Sequence, residues 1–279
     1  MTIQHKIQGE SMQMVICQLE PGQTVYAEAG KFLWKTTNVT METKLSKPDA
    51  DLAGGAEAPG APGAPKAGGF LNKAIKTGME MGKRHLAGES LAFQHYRAEG
   101  GAGLVGYAGL LPGHIQVIEL DGTGGWIAEK DAFMWAESTV NFDIVFSGLK
   151  SGWKGGEGFI LEKFTGVGTF AIAGAGNFIR LNPAKYGGKI QVDTGCVVAF
   201  QDSVTYGVEK VGKLNSQLAM AAMFGGEGIN LATLEGDGEV ILQSLTYSGM
   251  GAAMKRHIQT GDTNQQANPI GGLLGGSPG

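Results

Sequence analysis

Apolar and polar residues alternate with a period of two in Val140-Asn141-Phe142-Asp143-Ile144, which puts Val140, Phe142 and Ile144 on one face of a strand. Short apolar runs of this kind recur along the chain, punctuated by glycine, and three of them align without gaps at 27–34, 128–135 and 192–199. Each has an acid at its second position, Glu28, Glu129 or Asp193, then a small or polar break, then an apolar strand. A leucine leads into each across a turn: Leu19 before Pro21-Gly22, Leu120 before Asp121-Gly122, Leu181 before Asn182-Pro183. A second element begins at Gly88-Glu89, Gly156-Glu157 and Gly226-Glu227 and leads through apolar residues to Gly101-Ala102-Gly103, Gly166-Val167-Gly168 and Gly236-Asp237-Gly238. We read these glycine triplets as turns, those at 166–168 and 236–238 as hairpins.

The repetition predicts an all-β chain of three β-repeats in a pseudo-threefold assembly, with one or two short helices. The repeats fall at about 13–110, 114–175 and 177–247 within a single domain, 1–258. An insertion at about 47–69 is rich in Pro, Gly and Ala and reads as a flexible loop. From Phe70 to Leu86 the period becomes helical, with Leu71, Ile75 and Met79 on one stripe and Lys73, Lys76, Lys83 and Arg84 mostly elsewhere. This basic helix is expected to pack on the β body, with contact at a membrane surface as the alternative. A second helix is expected at about 213–224, and the polar, Gly-rich segment 259–279 reads as a disordered tail.

Composition narrows the chemistry. The 48 glycines fit many short turns, and a formal net charge of −4 opposes broad electrostatic binding of nucleic acid. The N-terminal residues lack the apolar core of a secretory signal and no apolar run is long enough to span a bilayer, so the expected location is the cytoplasm. Cys17 and Cys196, each among apolar neighbours, read as reduced thiols. The five histidines show no spacing that would place two nitrogens on one metal. Gly101-Ala102-Gly103-Leu104-Val105-Gly106 matches a dinucleotide fingerprint, but Gly109 and Leu110-Leu111-Pro112-Gly113 follow where that motif needs a helix. Without a nucleophile elbow or any other catalytic signature, we expect no enzyme and no cofactor.

Glu28, Glu129 and Asp193 are the polar set of most interest, because threefold symmetry would bring them to one axis, where three carboxylates could hold a divalent cation. The simpler expectation is that each caps a turn or pairs with a nearby base. Gly156-Glu157-Gly158-Phe159, Val192-Asp193-Thr194-Gly195 and the closing motif from Gly236 to Ser244 resemble the altered-inheritance-of-mitochondria family, over most of the chain. That resemblance implies a β fold similar to the tryptophan RNA-binding attenuation protein, self-association as a trimer or ring, and roles in membrane or complex organisation. The chain is thus expected to be a non-catalytic scaffold or interaction protein; the alternative is a β protein that binds a small molecule or RNA. The uncharged strands at 167–173 and 197–200 are expected to be poorly protected edges, and the apolar stretch 218–224 to add to an interface.

Overall fold

A computed structural model describes residues 2–44, 93–146, 160–210 and 230–262. The insertion, both expected helices, the stretch 218–224 and the tail beyond 262 lie outside these residues. Among the described residues the chain is all-β apart from three single-turn 3-10 helices and one α-helix.

After β1 (Gln4–Gln8), the first stretch supplies β2 (Met14–Leu19), β3 (Thr24–Glu28), β4 (Phe32–Lys35), β5 (Val39–Lys44), β6 (Phe93–Ala98) and β7 (Gly103–Ala108). Here β2 and β4 flank β7, while β3 and β5 flank β6. The second stretch supplies β8 (Gly113–Asp121), β9 (Trp126–Glu129), β10 (Phe133–Glu137), β11 (Val140–Phe146) and β12 (Ile160–Ala175). β9 and β11 pair with the first half of β12, and β8 and β10 with the second. The third supplies β13 (Phe178–Leu181), β14 (Lys189–Asp193), β15 (Val197–Gln201), β16 (Val204–Lys210), β17 (Asn230–Gly236) and β18 (Val240–Gln243). Again β13 and β15 flank β18, and β14 and β16 flank β17.

Two further antiparallel ladders join the stretches. In β3·β10 Ala27 stands opposite Trp135, and in β9·β15 Ala128 stands opposite Ala199. In both, the first position of one aligned segment faces the eighth position of the next, so the register of the joins follows the sequence alignment.

The glycines at 166–168 do not make the expected hairpin. Gly166 and Gly168, at φ of 102° and 140°, sit inside the 16-residue β12 and bend it without ending it. Only glycine adopts these angles at low cost, and a Cβ on Gly166 would stand 2.9 Å from the Thr139 carbonyl oxygen. The bend carries the chain from its pairing with β9 and β11 to its pairing with β8 and β10. A second correction follows from the same pairings. The segments 167–173 and 197–200, expected as edges, are interior strands with partners on both sides. The described sheets instead end in β1, β4, β5, β13, β14 and β16, each of which carries a lysine or arginine, while β8 and β11 branch from β12.

The alternation at Val140, Phe142 and Ile144 delivers all three to the largest core cluster, with Phe133, Phe164 and Phe170. Ring centroids lie 4.9 Å apart for Phe133 and Phe164 and 4.5 Å for Phe164 and Phe170. Aromatic pairs this close add to the burial of each ring, which itself stabilises by about 1.5–3 kcal/mol. A second cluster around Tyr96, Tyr107 and Trp135 and a third around Phe200, Leu234 and Val240 fill the rest of the body. The α-helix, α1 (Tyr247–Asp262), follows β18; it was not expected, and it takes in the first four residues of the segment read as a tail. Among the described residues no helix is long and apolar enough to cross a membrane.

Candidate functional site at the acidic turns

Each of the three aligned acids is the last residue of a strand, where the chain turns out of its ladder. Glu129 closes β9, and its Oε2 accepts the Asp131 N–H at 2.8 Å, capping the 3-10 turn Lys130–Ala132. Asp193 closes β14, and its Oδ1 accepts the Gly195 N–H at 2.8 Å, capping the turn Thr194–Cys196. Such a cap satisfies an N–H that the turn would otherwise leave open. Glu28 closes β3 with a different partner, the Lys31 ammonium, 3.7 Å from its Oε2.

Lys31 links the first turn to the second. Its side chain is 1% exposed, and Nζ donates to the Asp131 carbonyl oxygen at 2.7 Å. A buried ammonium is tolerable only with such partners. Around it the carboxyls crowd: burial first, then the Asp131 carboxylate and, more weakly, that of Glu28, push the Glu129 carboxyl up to about 8. Tyr247, the first residue of α1, stands in the same field, and burial followed by Asp131, Glu129 and Glu28 raises its hydroxyl to about 12. The third turn meets the same connecting segment. Gln243 Nε2 donates to the Gly195 carbonyl oxygen at 2.8 Å, and a Cβ on Gly195 would stand 3.2 Å from Thr246 Cγ2. Residues 243–246 therefore run along the third turn on the way into α1, whose first residue feels the carboxylates of the other two.

The structure brings Glu28 and Glu129 together and engages Asp193 in its own turn. Among the described residues no three His, Cys, Asp or Glu side chains are placed to hold a metal ion. Lys31, Asp131 and Tyr247 were not singled out by sequence. Lys31 three residues after Glu28 reads as an ordinary surface pair, and its Nζ reaches Asp131 because the join of β3 to β10 sets the first turn beside the second. The thiols are unreactive in character: burial, then the charge of Glu137, raises Cys17, and burial, then Asp193, raises Cys196.

Fold and site together define an all-β protein of recurrent antiparallel pairings with acidic residues at the turns between strands. The chain belongs to the family described as mitochondrial biogenesis AIM24, which it matches over residues 5–245. It is 26% identical over 248 residues to the Streptococcus pyogenes serotype M6 protein described as uncharacterized protein M6_Spy0233, covering 88% of this chain and 87% of that protein. Its fold is similar to the crystal structure of protein SPYM3_0169 from Streptococcus pyogenes, with a TM-score of 0.65 and 23% identity, across 91% of this chain and 99% of that one.

Proposed function

We propose that the protein is a non-catalytic interaction protein of the cytoplasm, built from three copies of one β-unit and associating with further copies of itself. The three matching sets of strand pairings, and the shared register of the two joins, support a pseudo-threefold body of the attenuation-protein type. The observation that carries the functional reading is where the acidic groups are spent. Glu129 and Asp193 cap their own turns, and Glu28 holds the lysine that joins two of them. The interior between the sheets is filled by aromatic and aliphatic side chains. Recognition then falls to the surface. Met12, 71% exposed, bridges to Gly113 at the start of β8, and Leu110, 58% exposed, stands in the turn just before it. Apolar side chains gathered at one end of a ladder suit contact with protein.

Light scattering at micromolar concentration tests the reading. A mass that is a multiple of 29.0 kDa is expected, and Met12→Asp with Leu110→Asp should lower it. A mass that stays at that of one chain on concentration overturns self-association.

A further inference from the structure

Gly103, Gly168 and Gly238 occupy matching places in the three sets of pairings, and the same kinds of group surround each. A Cβ on Gly103 would meet Val39, Thr36 Oγ1 and Asn38; on Gly238 it would meet Ser203, Val204 and Gln201 Oε1. On Gly168 it would stand 2.6 Å from Thr139 Oγ1, 3.1 Å from Glu137 Oε2 and 3.2 Å from Val140.

In the outer two places neutral side chains do the structural work. Thr36 Oγ1 accepts the Leu104 N–H at 3.0 Å, and Gln201 Oε1 accepts the Glu239 N–H at 2.7 Å. Asn38 donates to the carbonyls of Gly101 and Ala102, and Ser203 to that of Asp237, so both close onto a glycine turn. The middle place differs because β12 runs on with no turn there. Glu137 Oε1 accepts the Ile3 N–H at 2.8 Å and the Thr169 hydroxyl at 2.5 Å, which matches the pinning role of Thr36 and Gln201. That role needs only a neutral acceptor. Glu137 brings in addition a second oxygen and a charge, while only 8% exposed, and no basic side chain among the described residues forms an ion pair with it.

The surplus oxygen faces a cleft of about 310 Å³ between the N-terminal segment, β8, β12 and the turn after β10, where Thr2, Thr139, Leu120, Val167 and Glu119 are also found. Val167 is apolar and largely exposed, while the Leu120 side chain is turned into the core; Glu119 is an exposed second carboxylate. We propose that this cleft binds a small primary ammonium, its N–H groups donating to Glu137 Oε2 and Thr139 Oγ1, its alkyl part on Val167, and Glu119 completing the field. Among the described residues no three carboxylate, imidazole or thiol side chains gather here to hold a metal ion. Two carboxylates and hydroxyls beside Val167 suit an ammonium with a short carbon chain.

The test is thermal unfolding with n-butylammonium chloride, against sodium chloride at equal ionic strength, n-butanol, and magnesium or calcium chloride. Only n-butylammonium should raise Tm, by about 3–6 °C at ten times its Kd. Glu137→Gln keeps an oxygen for Ile3 and Thr169 and should abolish the shift. Glu119→Gln, at an exposed position, should weaken binding several-fold and reports independently if Glu137→Gln does not fold. The proposal is overturned if n-butylammonium gives no shift in the tens of millimolar, if the shift survives Glu137→Gln or is indifferent to Glu119→Gln, or if calcium or magnesium stabilises in its place.

Discussion

Replacing Glu129 by glutamine should make the protein more stable at neutral and alkaline pH and flatten the dependence of stability on pH. The carboxyl is pushed from an ordinary value of 4.5 to about 8, chiefly by burial and then by Asp131. A group that holds its proton more tightly when folded adds no penalty below about pH 4.5, where both states are protonated. Between 4.5 and 8 only the folded state keeps the proton, so stability falls as pH rises; above 8 the loss is complete. Each pH unit in that window costs about 1.4 kcal/mol if nothing relaxes, an upper bound near 5 kcal/mol over the whole range. Glu129 is only part-buried by its solvent exposure, and rearrangement or water beside it reduces the effect to about 1–3 kcal/mol. In Glu129→Gln the amide oxygen can still accept the Asp131 N–H, so the cap survives while the charge is removed. The assay is urea denaturation of both proteins from pH 5 to 9, since other titrating groups contribute equally to the two curves. The difference should grow with pH to a plateau and correspond to roughly 2–12 °C in Tm. Curves that run parallel across the range would refute the reasoning.

Asp193→Ala removes the acceptor for the Gly195 N–H and should cost about 1 kcal/mol, a Tm drop of roughly 2–4 °C by calorimetry. Gly113→Ala places a Cβ 1.9 Å from the Gly174 carbonyl oxygen, an approach backbone cannot yield to, and should cost more than about 3 kcal/mol in urea denaturation. Gly22→Ala, at φ of 84° in open space, should cost only about 1–2 kcal/mol in the same assay. Deleting residues 50–68, which read as a Pro-, Gly- and Ala-rich loop, should leave Tm nearly unchanged, and a loss above about 10 °C would contradict that reading.

The parts of the fold legible in sequence are those set by local chemistry. An acid, a break and an apolar strand recur at Glu28, Glu129 and Asp193 because a strand that ends in a carboxylate can tie down its own turn, and that needs only neighbouring residues. The ambiguity at 166–168 is physical: a positive-φ glycine serves a turn and a bend equally, and what decides is whether β8 and β10 lie alongside to receive the chain. Edge assignment failed for 197–200 for a related reason. An uncharged run reads as undefended, yet it is uncharged because β9 and β18 enclose it. The acid cluster was half visible. Glu28 and Glu129 stand out by alignment, but Lys31, Asp131 and Tyr247 enter only through the join of β3 to β10 and the path of residues 243–247. Glu137 could have been noticed as a charge where the alignment has Thr36 and Gln201, had the eight-residue segments been extended by two positions.

β12 also sets the order of events during synthesis. Among the described residues β8 and β11 have no ladder partner other than β12, so Ile115, Ile118, Leu120, Phe142 and Ile144 have no sheet to join until 160–175 have emerged from the ribosome. At about 5–20 residues per second, the some thirty residues from Phe146 to Ala175 leave the nascent middle of the chain exposed for roughly 2–6 seconds. A transcript cut short before residue 160 would release a product whose middle strands have nothing to fold against, and such a fragment is a natural client for chaperones and proteases.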